Sequence, residues 1–172
     1  MSRAFLKNES ADDPVVIPAR APLPPGATNY VTPRGLALLR TELAGLEAER
    51  THVQAESDEA ERSRQLALIN GRIANLNQRI GSAKVIDAHD QPHDEIRFGA
   101  TVSLHSQTGR ATIADKKLTI VGVDEADATH GRIAFTAPVA RAMLGKRVGE
   151  TVSFPAMQGV SIMEITEISY DE

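Results

Sequence analysis

The chain has 172 residues, room for one mid-sized domain or two small ones. Its formal net charge of -4 and its 3% aromatic content argue against gripping phosphate backbones or stacking bases, so no direct sequence-specific nucleic-acid binding is expected. No cysteine is present, which excludes disulfides and thiolate zinc sites, and the lack of a signal-peptide core or a long apolar run predicts a cytoplasmic protein with no membrane partner.

Residues 1–30 hold five of the nine prolines, with three charges of each sign and no helical or strand period. Such a segment is expected to be a flexible, extended tail. The competing reading is a docking peptide, anchored by Phe5 and by Val15, Val16 and Ile17.

The pattern changes at Thr32-Pro33, which suit an N-cap and a first helical position. Apolar residues then recur at Leu36, Leu39, Leu43 and Leu46, continue through Arg50 and Val53, and resume at Leu66, Ile69, Ile73, Leu76, Ile80 and Ala83. This is the spacing of a coiled-coil seam. Pairing the two runs in antiparallel order matches them layer by layer, Leu36 with Ala83 down to Val53 with Leu66. The spacing predicts a helical hairpin over about 33–57 and 60–85, each arm about 35 Å long. Leu39, Leu43, Ile73, Leu76 and Ile80 should hold its base, and Arg50 opposite Ile69 should loosen its tip. Gly45 and Gly71 lie off the seam and each costs about 1 kcal/mol of helix propensity.

Residues 87–96 form a polar linker broken by Pro92. Beyond it, strands are expected at 101–104, 117–123, 132–136, 151–154 and 160–168, with a short helix from Pro138 to a Gly145 cap. Val139, Met143 and Leu144 should face inward. The fold class is therefore α+β, an N-terminal antiparallel coiled-coil hairpin followed by a mostly antiparallel β domain with one short helix. The chain divides into a tail (1–30), a hairpin (31–86), a linker (87–96) and a C-terminal domain (97–172). The alternative is a single α+β domain with the hairpin packed across the sheet.

Few residues offer chemistry. His89 and His93 are four apart beside Asp90 and Asp94, but Pro92 breaks the helix that would align them, so no metal is expected in the free protein. Asp124-Glu-Ala-Asp127 has no phosphate loop to accompany it and reads as an exposed loop between strands. No nucleophile elbow exists, and no catalytic residue of the chain's own is expected. What remains is the turn of the hairpin, where Glu56, Asp58, Glu59 and Glu61 fall within six positions. Two readings stay open there. The acids are either a solvated skin, with Asp58 capping the second helix, or a cluster whose mutual repulsion a divalent cation would relieve.

The hairpin together with Ile120-Val-Gly-Val-Asp-Glu-Ala-Asp127 and Pro138-Val-Ala-Arg-Ala-Met-Leu-Gly-Lys146 resembles the Gre family of bacterial transcript-cleavage and elongation factors, GreA and GreB. Asn29-Tyr-Val-Thr-Pro-Arg-Gly-Leu36, Gly71-Arg-Ile73, Ala83-Lys-Val-Ile-Asp87 and Phe98-Gly-Ala-Thr-Val102 extend the likeness over about residues 30–170. The resemblance implies an FKBP-like C-terminal domain that docks on RNA polymerase and a hairpin inserted down the secondary channel. It implies docking through the loop of Asp124 and the stretch around Pro138, where Ala137 replaces the family's Ser. It also implies that tip acids help hold a catalytic Mg²⁺ of the polymerase, so the factor needs no cofactor of its own and is not itself an enzyme. Asp58 and Glu61 reproduce the family's acid spacing, with Glu56 and Glu59 as further acids, Ser57 in place of Gly and Arg62 in place of Asn. The hairpin is shorter than the family's by about one heptad per arm, about 10 Å of reach. In that it resembles Rnk, a relative that binds polymerase without an established cleavage role. A monomer with RNA polymerase as its partner is the expectation.

Overall fold

The computed structural model describes residues 14–107, 114–157 and 159–170. Phe5, one of the two expected tail anchors, lies outside them.

A short strand β1 (Asn29–Val31) leads into α1 (Pro33–Val53). Thr32 caps α1 as its sequence predicts, its hydroxyl accepting the Gly35 N–H at 2.9 Å, and Pro33 fills the first turn. After a tight turn, α2 (Glu59–Ser82) returns antiparallel to α1. At 1.5 Å per residue the arms run about 31 and 36 Å. Leu39, Val53, Ile69, Ile73 and Leu76 are buried, all on the expected seam. The distal half is not loose, however. Val53, Ile69 and Ile73 form a cluster of their own with Leu43, Leu46 and Leu66. Val53 closes the seam one turn beyond Arg50, and Ile80 near the base is only partly buried.

The second helix stops at Ser82 rather than 85, because Ala83–Val85 forms a strand, β2. It pairs in parallel with β1, matching Asn29 to Ala83 and Val31 to Val85. Both helices therefore spring from one small two-stranded clasp.

The remaining strands are β3 (Thr101–Ser106), β4 (Lys116–Val121), β5 (Arg132–Ala134), β6 (Thr151–Ala156) and β7 (Gly159–Ser169), in the sheet order β5-β4-β3-β7-β6. Three of the four pairings are antiparallel, as expected, but β5 joins β4 in parallel at one edge. The sheet is thus mixed. α3 (Pro138–Met143) follows β5 and buries Ala140 and Met143. Leu144 turns outward instead of in, 38% exposed, because the chain leaves the helix there towards Gly145, whose φ of +83° favours glycine. The core lies between α3 and the sheet and includes Val102, Leu104, Ile120, Met163 and Ile165.

The linker is less polar in place than in sequence. Ala88 and Ile96 are buried in the same core, and Ile96 exchanges backbone hydrogen bonds with Gly145 and Lys146. Tyr170 ties the far end down. Its hydroxyl donates to the Glu95 carbonyl at 2.5 Å and accepts the Arg97 N–H at 2.9 Å.

α3 begins without a side-chain cap, since Ala137 has no oxygen to offer. Ala137→Ser should therefore stabilise the protein by about 1 kcal/mol, read as an increase in the denaturation midpoint. An unchanged midpoint would mean that the orphan N–H groups of α3 are already satisfied by water.

The segment expected to be a free tail lies against the hairpin over residues 14–21 of the described chain. Ile17 sits over Gly71 of α2, and Arg20 bonds to both α1 and the sheet domain. Polarity and proline content made the segment look unable to pack. Its contacts are made by single side chains rather than by a periodic face.

Candidate functional site

The turn between the helices carries the acids, and each has a local structural task. Asp58 caps α2, its Oδ1 accepting the Glu61 N–H at 2.9 Å. Glu56 lies outside both helices, and its Oε1 accepts the N–H groups of Ser57 at 3.0 Å and Asp58 at 3.3 Å. Glu61 bonds to Gln65 one turn on at 2.7 Å, and Glu59 stands beside it in the first turn, where the helix dipole favours negative charge. Arg62 folds back to donate to the Glu56 carbonyl at 2.8 Å, so a guanidinium lies within the acid turn.

The D-x-x-E spacing is thereby explained first as helix capping. It still leaves a projecting tip on which Asp58, Glu59 and Glu61 are exposed to solvent. Each of Asp58 and Glu61 keeps a second carboxylate oxygen that could touch a cation held by another molecule. Among the described residues no group of three or more His, Asp or Glu could hold a metal ion by itself. His89 instead pairs with Asp87 at 2.8 Å, and His93 packs edge-on against Tyr170.

The base of the hairpin is where the loop after β4 does something the sequence did not reveal. Asp124 and Glu125 are not exposed. Their side chains are 7% and 4% accessible, and both face the hairpin. Glu125 accepts from the Thr32 hydroxyl at 2.5 Å and from Arg34 at 2.8 Å, so the residue that caps α1 is itself held by the sheet domain. Gly35 leaves room for this, since a Cβ there would lie 2.7 Å from Glu125 Oε2. Asp124 accepts from Arg79 of α2 at 3.1 Å and from Arg20 at 3.2 Å. Beside them Tyr30 packs edge-on and tilted against Phe135 and Phe98, with ring centroids 5.5 and 5.9 Å apart. Phe154 and Tyr170 are buried in the core.

Both expected docking positions can now be placed. Pro138 is exposed at the start of α3. Asp124 presents no free carboxylate outward, and no local pattern in the sequence could have shown this, because its partners are 45 and 104 residues away. Asp127, at the end of the same loop, is partly exposed, and hydrogen bonds from the Thr129 hydroxyl and the His130 ring lower its carboxyl pKa to about 2.

Arg20 also makes a forked contact with Glu42 of α1 at 2.8 and 3.0 Å. That hydrogen bond holds the Glu42 carboxyl below its ordinary value, and the nearby charges of Arg20 and Arg72 add to the shift. A carboxyl lowered in the folded state stabilises the contact above its unfolded pKa and loses that contribution as pH falls through the folded value. Residues 19–21 should therefore loosen only at pH below the ordinary glutamate value of about 4.3, while the seam stays closed. Amide spectra recorded from neutral to acid pH check this: signals of residues 19–21 should move to random-coil positions before those of Ile73 and Leu76. Simultaneous loss of all would show that the contact is not a separate unit.

Residues 91–170 match the family model described as transcription elongation factor, GreA/GreB, C-terminal. The chain is 40% identical over 114 residues to transcription elongation factor GreA of Caldanaerobacter subterraneus subsp. tengcongensis, spanning 66% of this chain and 69% of that one. It is 41% identical over 116 residues to GreA of Syntrophotalea carbinolica, spanning 67% and 70%. A solved GreA/GreB elongation factor from Nitrosomonas europaea aligns over 84% of this chain and 99% of its own, with a TM-score of 0.42 and 20% identity. With 40% identity sustained over two thirds of both chains, this protein belongs to the GreA/GreB family of transcription elongation factors.

Proposed function

We propose that the chain is a cytoplasmic, monomeric factor that binds RNA polymerase, inserts its hairpin into the secondary channel and presents Asp58 and Glu61 to the active centre, regulating elongation and stimulating cleavage of backtracked RNA. The observation that carries this reading is the placing of exposed acids at the end of a projecting rod that has no other chemistry. In it the polymerase supplies the Mg²⁺ and the reacting water, while the tip lends the free oxygens of Asp58 and Glu61. The surface around Pro138 is the docking contact. Asp124 acts indirectly, by holding the hairpin at its base through Arg79.

A second reading has its own support. Asp58 is already engaged as a cap, Arg62 offsets part of the tip charge, and the arms have only 21 and 24 residues. On that reading the protein occupies the channel without hydrolysis, as a Rnk-like regulator.

Stalled, backtracked elongation complexes distinguish the two. Adding the protein with Mg²⁺ should shorten the 3′ end of the RNA. Binding to polymerase with RNA of unchanged length would favour the channel occupant. Absence of binding would overturn both.

A further inference from the structure

We infer that residues 14–21 are an intramolecular strap that fixes the hairpin at one angle to the β sheet, with Arg20 as its positioning residue. Four observations lead there, none of which concerns what the tip does.

The first is the path. Pro14, Val15 and Val16 lie beside Glu61, Arg64, Gln65 and Leu68 near the start of α2. The Ala21 carbonyl accepts from Arg79 at 2.5 Å, near the end of the same helix. Seven extended residues cover about 24 Å, and the 11 to 18 helical residues from Leu68 or Glu61 to Arg79 cover about 16 to 27 Å. The segment therefore runs extended along α2 and parallel to it, with Ile17 at Gly71 between the two ends.

The second is the seat. A Cβ at Gly71 would come within 2.0 Å of Ile17 Cδ1 and 2.8 Å of its Cγ1. Gly45 of α1 meets nothing within 4 Å. A glycine in mid-helix costs about 1 kcal/mol. At Gly71 the missing side chain admits Ile17.

The third is the bolt. Arg20 bridges Glu42 on α1 and Asp124 in the sheet domain, while Arg79 on α2 meets the same Asp124. Two acids and two bases thus tie both helices to one loop with no net charge. Arg20 and Glu42 are 21% and 46% accessible, whereas Asp124 and Arg79 are 7% and 12%. Among the described residues Arg20 is what joins Glu42 of α1 to the inner pair, beside the contact of Arg34 with Glu125 at the start of α1.

The fourth is composition. Pro14 begins the strap, Pro18 lies within it, and Pro22 follows it. They remove backbone donors and restrict the free chain, so little conformational entropy is lost when the strap is laid down.

A rod of about 36 Å magnifies any tilt at its base, so a strap across the joint sets where the tip arrives. Binding that needs one hairpin angle is favoured when that angle is preset.

The chain has no cysteine, so paired nitroxide labels can be placed without background at Ala55→Cys near the tip and Ser153→Cys on β6. In the full chain the distance distribution should be narrow. Arg20→Ala should broaden it at least about twofold, with Arg20→Lys recovering most of the narrow component. Gly71→Gln, a good helix former that unseats Ile17 without touching a charge, should broaden it similarly. Circular dichroism should remain that of the parent in each variant. An unchanged distribution in Arg20→Ala would overturn the strap. So would broadening in Arg20→Ala with none in Gly71→Gln, which would reduce Arg20 to a local ion pair. Failure of RNA cleavage or of polymerase binding would leave these distances unaltered, so the two proposals fail separately.

Discussion

Asp58→Asn should keep the fold of the tip and remove its contribution to metal-assisted cleavage. Asparagine caps a helix about as well as aspartate, and its side-chain oxygen can accept the Glu61 N–H as Asp58 does at 2.9 Å. The stability change should stay within about 0.5 kcal/mol. A neutral amide, however, is a poor partner for Mg²⁺. If Asp58 assists the polymerase metal, cleavage of backtracked RNA should fall by about 100-fold or more. Asp58→Ala removes both roles, so it should lose activity and also about 1 kcal/mol of stability. Cleavage rates in backtracked complexes, set beside denaturation midpoints, separate the two tasks. Full cleavage by Asp58→Asn would make Asp58 a cap and nothing more, and would move the chemistry to Glu61 or Glu59.

Gly122→Ala should be among the most damaging single substitutions in the joint. A Cβ at that position would lie 2.6 Å from the Tyr30 carbonyl oxygen, and the clash is with backbone rather than with a pliant side chain. Relief requires β1 to move away from the loop after β4. That would pull Tyr30 from Phe98 and Phe135 and strain the Thr32–Glu125 bond that holds the α1 cap. Overpacking of this kind costs about 1–3 kcal/mol, which for a chain of this size lowers the melting temperature by about 2–12 °C. Gly45→Ala is the matched control. It meets nothing within 4 Å and lies within α1, so it should raise stability by about 0.5–1 kcal/mol. If both variants behaved alike, the close approach at Gly122 would have no energetic weight.

Features that local physics dictates are legible in the sequence. The Thr32-Pro33 start, the seam from Leu39 to Leu76, the five strands and the glycine after α3 each follow from a cap, a period or a conformational preference. The acid turn was legible in the same way, and so was the option that Asp58 caps α2. Its ends were less so. Ala83 fits the helical period, yet it becomes a strand because β1 offers it a backbone ladder that no window around Ala83 contains. The extra closure near the tip by Val53 likewise depends on how the second arm packs against it.

By itself, then, the sequence determined a hairpin, a β domain and a set of acids at the turn, because periodicity, capping and burial of apolar stripes act over a few residues at a time. The tertiary structure decided what those parts are tied to. Asp124 and Glu125 look like a solvated loop and are instead the buried acids of the joint. Residues 14–21 look like a free tail and instead lie along α2. Both outcomes rest on charge pairs and single contacts between residues from 22 to 104 positions apart, and such pairings leave no period in the chain.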